Sequence, residues 1–114
     1  MSITIKALSE YQAVWLFALF DLPVKTKKQR QTYTRFRKLL IHEGFCMLQF
    51  SIYARYCASE EASAAHRNRV RASVPAEGQV RLLAITDKQF GKMEVFLRGN
   101  PTDVEEEPSQ IMLF

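Results

Sequence analysis

Val14 to Phe20 is an unbroken run of seven apolar residues that ends in one carboxylate, Asp21, followed by a Leu22-Pro23 exit. A run this short and this apolar suits a central β-strand covered on both faces. It falls far below the roughly 20 residues needed to cross a bilayer. A carboxylate at the end of such a strand is held at the rim of a sheet, where the chain turns outward and a ligand can approach. Asp21 is therefore read as the chemical centre of the chain. The plainer alternative, a turn cap ahead of Pro23, carries less weight because the next helix has a better cap in Thr26.

That cap, followed three residues later by Gln29, matches a capping box. Tyr33, Phe36 and Leu40, with Leu39 alongside, form the buried stripe of the helix, and Gly44 is its expected left-handed terminator. Phe45 to Cys57 then alternates with period two. Cys46, Leu48, Phe50, Ile52, Ala54 and Tyr56 are apolar, while Gln49, Ser51, Tyr53 and Arg55 supply polar groups. Its thirteen residues exceed the usual strand length of about five or six. It is either one bent strand or two short strands breaking near Gln49 to Ser51.

Ser59-Glu60-Glu61 opens a second helix, with a polar cap and acids in the first turn. The helix runs to about Ser73 and is stopped by Pro75 and Gly78; alanines and Val70 make its apolar side, so it must pack closely. Val80 to Thr86 is a further strand, Asp87 to Lys92 a turn, and Met93 to Leu97 a last strand. This order predicts an α+β fold, a ferredoxin-like βαββαβ sandwich with an antiparallel sheet, both helices on one face and an extra C-terminal strand. At 114 residues the chain can bury roughly 65% of its unfolded surface. Residues 1–98 are assigned to this domain, and 99–114 to an acidic linker and a docking tail. Met1 to Gln12 reads as a short ordered extension and lacks the cleavage site of a secretion signal.

Charge is distributed unevenly. All sixteen Lys and Arg lie at or before Arg98 with eight acids, so that portion carries +8, while the last sixteen residues hold four acids and no base. A basic body with an acidic tail points to a polyanionic partner. The cations concentrate in Lys25, Lys27, Lys28, Arg30, Arg35, Arg37 and Lys38, seven in fourteen residues with no acid among them. A merely solvated helix alternates its signs, so contact with a phosphate backbone is the better account. Arg67, Arg69 and Arg71 on the second helix, beside His66, extend the same chemistry. Nothing resembles a recognition helix, a zinc module or an aromatic ribonucleoprotein signature, which argues against reading of bases.

Catalytic constellations are few. His42 and His66 sit among polar helical residues and read as surface or capping groups. There is no Ser-His-Asp or Cys-His arrangement, glycine-rich phosphate loop or CxxC pair. Cys46 and Cys57 are expected as buried, reduced thiols, which fits a cytoplasmic protein. Tyr53 and Arg55, on the more polar face of their strand, are placed to line a subunit interface or a phosphate path. One carboxylate cannot cage Mg²⁺ or Mn²⁺. Two protomers that set their Asp21 side chains about a dimer axis, with nucleic-acid phosphate in the remaining positions, would complete such a site. The apolar segment Gln110, Ile111, Met112, Leu113 and Phe114 is expected to dock as an added strand on a partner or within the dimer.

Several motifs together resemble a known family. They are F-D-L-P (Phe20 to Pro23), F-R-K-L-L (Phe36 to Leu40), G-F-x-M-L-Q-F-S-I-Y-x-R (Gly44 to Arg55), P-x-x-G-x-V-R-x-L (Pro75 to Leu83), I-T-D-K-Q-F (Ile85 to Phe90) and the terminal L-F. The sequence is similar to the CRISPR-associated Cas-two family, in the form found beside Cas-nine in type II systems. The resemblance implies a ferredoxin-like homodimer that bridges two dimers of the Cas-one integrase and holds a short duplex of spacer DNA for insertion into a CRISPR array. It also implies a Mg²⁺-dependent endoribonuclease acting on single-stranded RNA, with Asp21 as metal ligand and catalytic residue. The Phe-Glu that the family usually carries is Tyr53-Ala54 here, so no second acid stands there, and scaffolding ranks above nuclease action. Two other readings stand beside it: a stand-alone, toxin-like metal-dependent ribonuclease, and a non-catalytic RNA-binding module.

Overall fold

The computed structural model describes residues 12–98. The expected linker at 99–108, the tail Gln110 to Phe114 and nearly all of the N-terminal extension lie outside the described residues.

β1 (Val14–Asp21) is an interior strand of a four-stranded antiparallel sheet. The other strands are β2 (Cys46–Gln49), β3 (Ile52–Cys57) and β4 (Gln79–Thr86), in the order β2-β3-β1-β4. That order, with helices after β1 and β3, is the ferredoxin-like arrangement the sequence predicts. β1 explains its own composition. Val14, Leu16, Ala18 and Phe20 point to the helix layer and are nearly inaccessible, while Trp15, Phe17 and Leu19 alternate onto the opposite face.

α1 (Lys27–His42) starts where predicted. The Gln29 amide donates to Thr26 Oγ1 at 3.1 Å, and the Thr26 amide returns the bond to Gln29 Oε1 at 3.0 Å. Its C-terminal cap is Glu43, followed by Gly44 at φ +90°, the left-handed conformation that glycine adopts without steric cost. α2 (Glu60–Ala72) is capped by Ser59. Phe36 and Leu40 of α1 and Val70 of α2 close the core against Leu16, Ala18, Phe20 and Tyr53. The fully buried Ser63 satisfies its hydroxyl by donating to the Glu60 carbonyl at 2.8 Å, and its small size lets α2 lie close to the sheet.

Three expectations are corrected. Phe45 to Cys57 is two strands, but the apolar positions do not all share one face. A register shift between Met47 and Gln49 and the turn at Phe50-Ser51 change the phase. Tyr53 and Cys57 therefore face the helices and are buried, with Ile52 and Ala54 on the other side; Tyr53 is core rather than an interface residue, and Cys46 is exposed. Asp87 to Gly91 is a short helix, α3, because Thr86 and Gln89 form a second capping box. Met93 to Leu97 carries no strand. Leaving α3, it borders the uncovered sheet face and lines, with Phe17, Leu19 and Leu83, an apolar concavity of about 650 Å³. Strand status requires a ladder partner, and none of the described strands pairs with it. Among the described residues no helix is long and apolar enough to cross a membrane.

Candidate nucleic-acid interface

Asp21 lies at the exposed end of β1, opposite Gln79 of β4. Its carboxylate takes part in no hydrogen bond with the described residues, so it does not cap the turn before Pro23. It opens into a concavity of about 360 Å³ with Phe50, Ser51, Gln79 and Arg81. Ser51 has φ 66°, a left-handed conformation that costs a non-glycine residue about 1–3 kcal/mol. The turn is held there from two sides. The Phe20 amide donates to the Ser51 carbonyl at 3.1 Å, and the hydroxyls of Ser51 and Tyr33 share a hydrogen bond at 3.3 Å. The position next to Asp21 is thus built at a cost and fixed by contacts.

The donor set at this concavity is a carboxylate, a hydroxyl and an amide oxygen, the hard oxygen chemistry that suits Mg²⁺. No cluster of three potential metal-binding side chains occurs among the described residues. One protomer therefore offers a single carboxylate, and the remaining positions would fall to a second protomer, water or phosphate.

The predicted basic residues separate into groups once the helix is in place. Lys27, Arg30, Arg35 and Lys38 lie with Gln31 and Thr34 along the outward face of α1, bordering a shallow groove. Eleven residues of helix rise make this ridge about 16 Å long. Arg30 also donates from one terminal nitrogen to the carbonyls of Val24 and Lys25, which ties the preceding loop to the helix. Lys25 is exposed in that loop, and Lys28 borders a separate depression with Leu22, Pro23 and Glu77. Arg37 turns toward the sheet, where its Nε donates to the Tyr53 hydroxyl at 2.7 Å. It bonds a core side chain rather than lining the groove.

On α2, Arg69 is an ion-pair partner, its Nε donating to Glu43 at 2.7 Å. His66 Nδ1 lies 2.9 Å from the same carboxylate oxygen and 3.1 Å from a terminal nitrogen of Arg69, so the three side chains form one cluster. The bonds from Arg69 and then His66 hold the Glu43 carboxyl below its ordinary value of 4.5. Arg55 donates to the Glu43 carbonyl at 2.7 Å, so this cap residue joins α1, α2 and β3. Arg67 is half-buried and Arg71 exposed, the latter 3.4 Å from Asn68 Oδ1.

Glu43, Phe50, Ser51 and Arg81 were not singled out as site residues by the sequence. Arg81 is distinguished only by register: it pairs opposite Leu19, which places it on the Asp21 face.

The model of the family described as CRISPR associated protein Cas2 matches residues 14–93, from the start of β1 through the two residues after α3. The chain belongs to this family. It is 44% identical over 107 residues to the CRISPR-associated endoribonuclease Cas2 of Flavobacterium psychrophilum, covering 94% of this chain and 93% of the relative. It is 48% identical over 101 residues to the protein of the same name from Parvibaculum lavamentivorans, covering 89% of this chain and all of that one. Both relatives are named for nuclease activity. Within this Cas2-family chain, the matched span contains Asp21, the α1 ridge and the Glu43 junction, whereas the expected docking tail lies beyond it.

Proposed function

We propose that this Cas2-family chain acts as a homodimer that holds nucleic acid by its backbone and bridges dimers of the Cas-one integrase while spacer DNA is added to a CRISPR array. The observation that carries this reading is the outward ridge of Lys27, Arg30, Arg35 and Lys38 on α1. Duplex DNA carries one charge per about 1.7 Å of axis, so a ridge of this length meets several phosphates without reading sequence. Dimerisation is supported by the uncovered sheet face. Leu83 and the Met93 to Leu97 segment expose apolar side chains there, and a second copy is a fitting cover.

The same dimer gives Asp21 a second role, as one of two matched carboxylates near the symmetry axis that hold Mg²⁺ or Mn²⁺ for endoribonuclease action of the family type. Such an ion, when bound, supplies charge stabilisation at a phosphoryl oxygen and activates water. Asp21 holds it, Ser51 fixes the adjoining turn, and the α1 cations hold the flanking backbone. Scaffolding remains the main role, with Asp21 serving cleavage rather than integration. The Ile111 to Phe114 segment is assigned to docking on a partner, the Cas-one integrase first and Cas-nine machinery second.

Purification with the cognate integrase and an insertion assay test this reading. Wild type and Asp21→Ala are expected to support insertion, while deletion of Ile111 to Phe114 abolishes it. Insertion lost with Asp21→Ala and unaffected by tail removal would contradict the scaffold and favour a nuclease role.

A further inference from the structure

The cations of α1 have no counter-charge on their own helix, which holds Lys27, Lys28, Arg30, Arg35, Arg37 and Lys38 and no acid. Lys27 with Arg30, and Arg35 with Lys38, stand three residues apart, neighbours of like charge on one exposed face. Among the described residues none of these four takes part in an ion pair; both contacts of that kind belong to Glu43. The compensating charge sits elsewhere in the sequence. Residues 99–114 hold four acids, Asp103, Glu105, Glu106 and Glu107, and no base. In extended backbone residues 103–107 would span about 13 Å, close to the length of about 16 Å over which the four cations are spread.

The connecting chain is long enough for the two to meet. Residues 93–97 line a concavity bordered by Leu48 and Gln49 of β2, an edge strand. Phe50, next in the chain, stacks on Tyr33 of α1 with ring centroids 5.9 Å apart. α1 therefore overlies the sheet edge that borders this concavity. The six residues from Leu97 to Asp103 extend at most about 20 Å, and the ten from Leu97 to Glu107 about 35 Å. A helix with its side chains is only about 10–12 Å across.

We infer that residues 103–107 lie along the α1 ridge of the same protomer as an internal polyanion, occupying its cations until a nucleic-acid backbone displaces them. Tethering gives the segment an effective concentration of mM order, so a contact too weak to hold between separate molecules still competes with phosphate. Ile111 to Phe114, proposed above to dock on the integrase, begin four residues after Glu107. A partner that captures them draws the acids off the ridge, so integrase and nucleic acid each favour binding of the other.

This consequence rests on the reading that α1 grips nucleic acid, whereas the contact itself is measured without any. Full-length protein at low salt is treated with a carbodiimide, which joins lysine amines directly to carboxylates, and the monomer-sized product is mapped by mass spectrometry. Links from Lys27 or Lys38 to residues 103–107 are expected, in excess of those from Lys88 and Lys92 at α3, and high salt should suppress them. A DNA duplex of mixed sequence, added first, should also remove them. Changing all four acids to amides (Asp103→Asn, Glu105→Gln, Glu106→Gln and Glu107→Gln) is expected to tighten duplex binding by roughly 5- to 150-fold at low salt, the usual range of coupling between two ligands. With Lys27, Arg35 and Lys38 also changed to Gln, the gain should shrink to about twofold or less. Links spread evenly over these lysines, links confined to a dimer-sized product, or an equal gain in the ridge variant would overturn the inference. Ridge links in a protein that binds no duplex would overturn the nucleic-acid reading and leave the internal contact standing.

Discussion

Gly78 stands against the end of β1 so closely that a Cβ built on it would lie 2.5 Å from the carbonyl oxygen of Asp21. Its φ of +90° is itself in the region that disfavours side chains. The loop between α2 and β4 can descend onto the strand end only because this residue is glycine, and the descent sets Gln79 opposite Asp21. Gly78→Ala is expected to destabilise the fold by about 1–3 kcal/mol, read as a lower urea midpoint at constant slope. Because the strained contact is to the backbone of Asp21 itself, the metal binding proposed for Asp21 should weaken in the same variant.

The Glu43 junction predicts an acid-sensitive link between the helices. Its carboxyl is held below the ordinary value by Arg69 first and His66 second. A group depressed in the folded state contributes stability that is fully present above the unfolded value, about 4.5, and lost as pH falls through the folded value. Wild type should lose stability on acidification below about pH 4.5 more steeply than Glu43→Gln, measured by chemical unfolding at fixed ionic strength.

The two cysteines should react differently. Cys46 is exposed on the edge strand β2, whereas burial keeps Cys57 inaccessible and pushes its thiol pKa up. Titration with a thiol reagent under native conditions should modify Cys46 quickly and Cys57 only on unfolding. Two equally fast thiols would contradict the packing of β3 against the helices.

Leu40 has no accessible surface and joins α1 to the sheet beneath it. Leu40→Ala is expected to cost about 2–5 kcal/mol, seen as a lower unfolding midpoint, since the surrounding core of Leu16, Phe36 and Val70 can collapse only partly into the space.

Signals that act locally were legible in the sequence. The unbroken apolar run of β1, the Thr26-Gln29 box, Gly44 after α1 and Ser59 before α2 each follow from interactions within a few residues, and the structure places those elements accordingly. What depends on pairing was not legible. Period two in Phe45 to Cys57 suggested a single apolar face, but the bulge near Met47 and the left-handed Ser51 reset the phase and turned Tyr53 inward. Met93 to Leu97 has strand composition but lacks a ladder partner among the described strands. Arg37 and Arg69 looked like the other helix cations, yet their partners, Tyr53 and Glu43, are 16 and 26 residues away. Asp21 was visible from its place at the end of β1; Arg81 and Phe50 join it only through the β1–β4 register and the β2–β3 turn.

The most direct test of backbone gripping by α1 is the salt dependence of duplex binding, compared between wild type and a variant with Lys27, Arg35 and Lys38 each changed to Gln. Three lost phosphate contacts should reduce the slope of log affinity against log salt by about 2.5–3 for each engaged protomer, while the fold remains intact. Equal slopes and equal affinities in the two proteins would show that the ridge does not touch the nucleic acid.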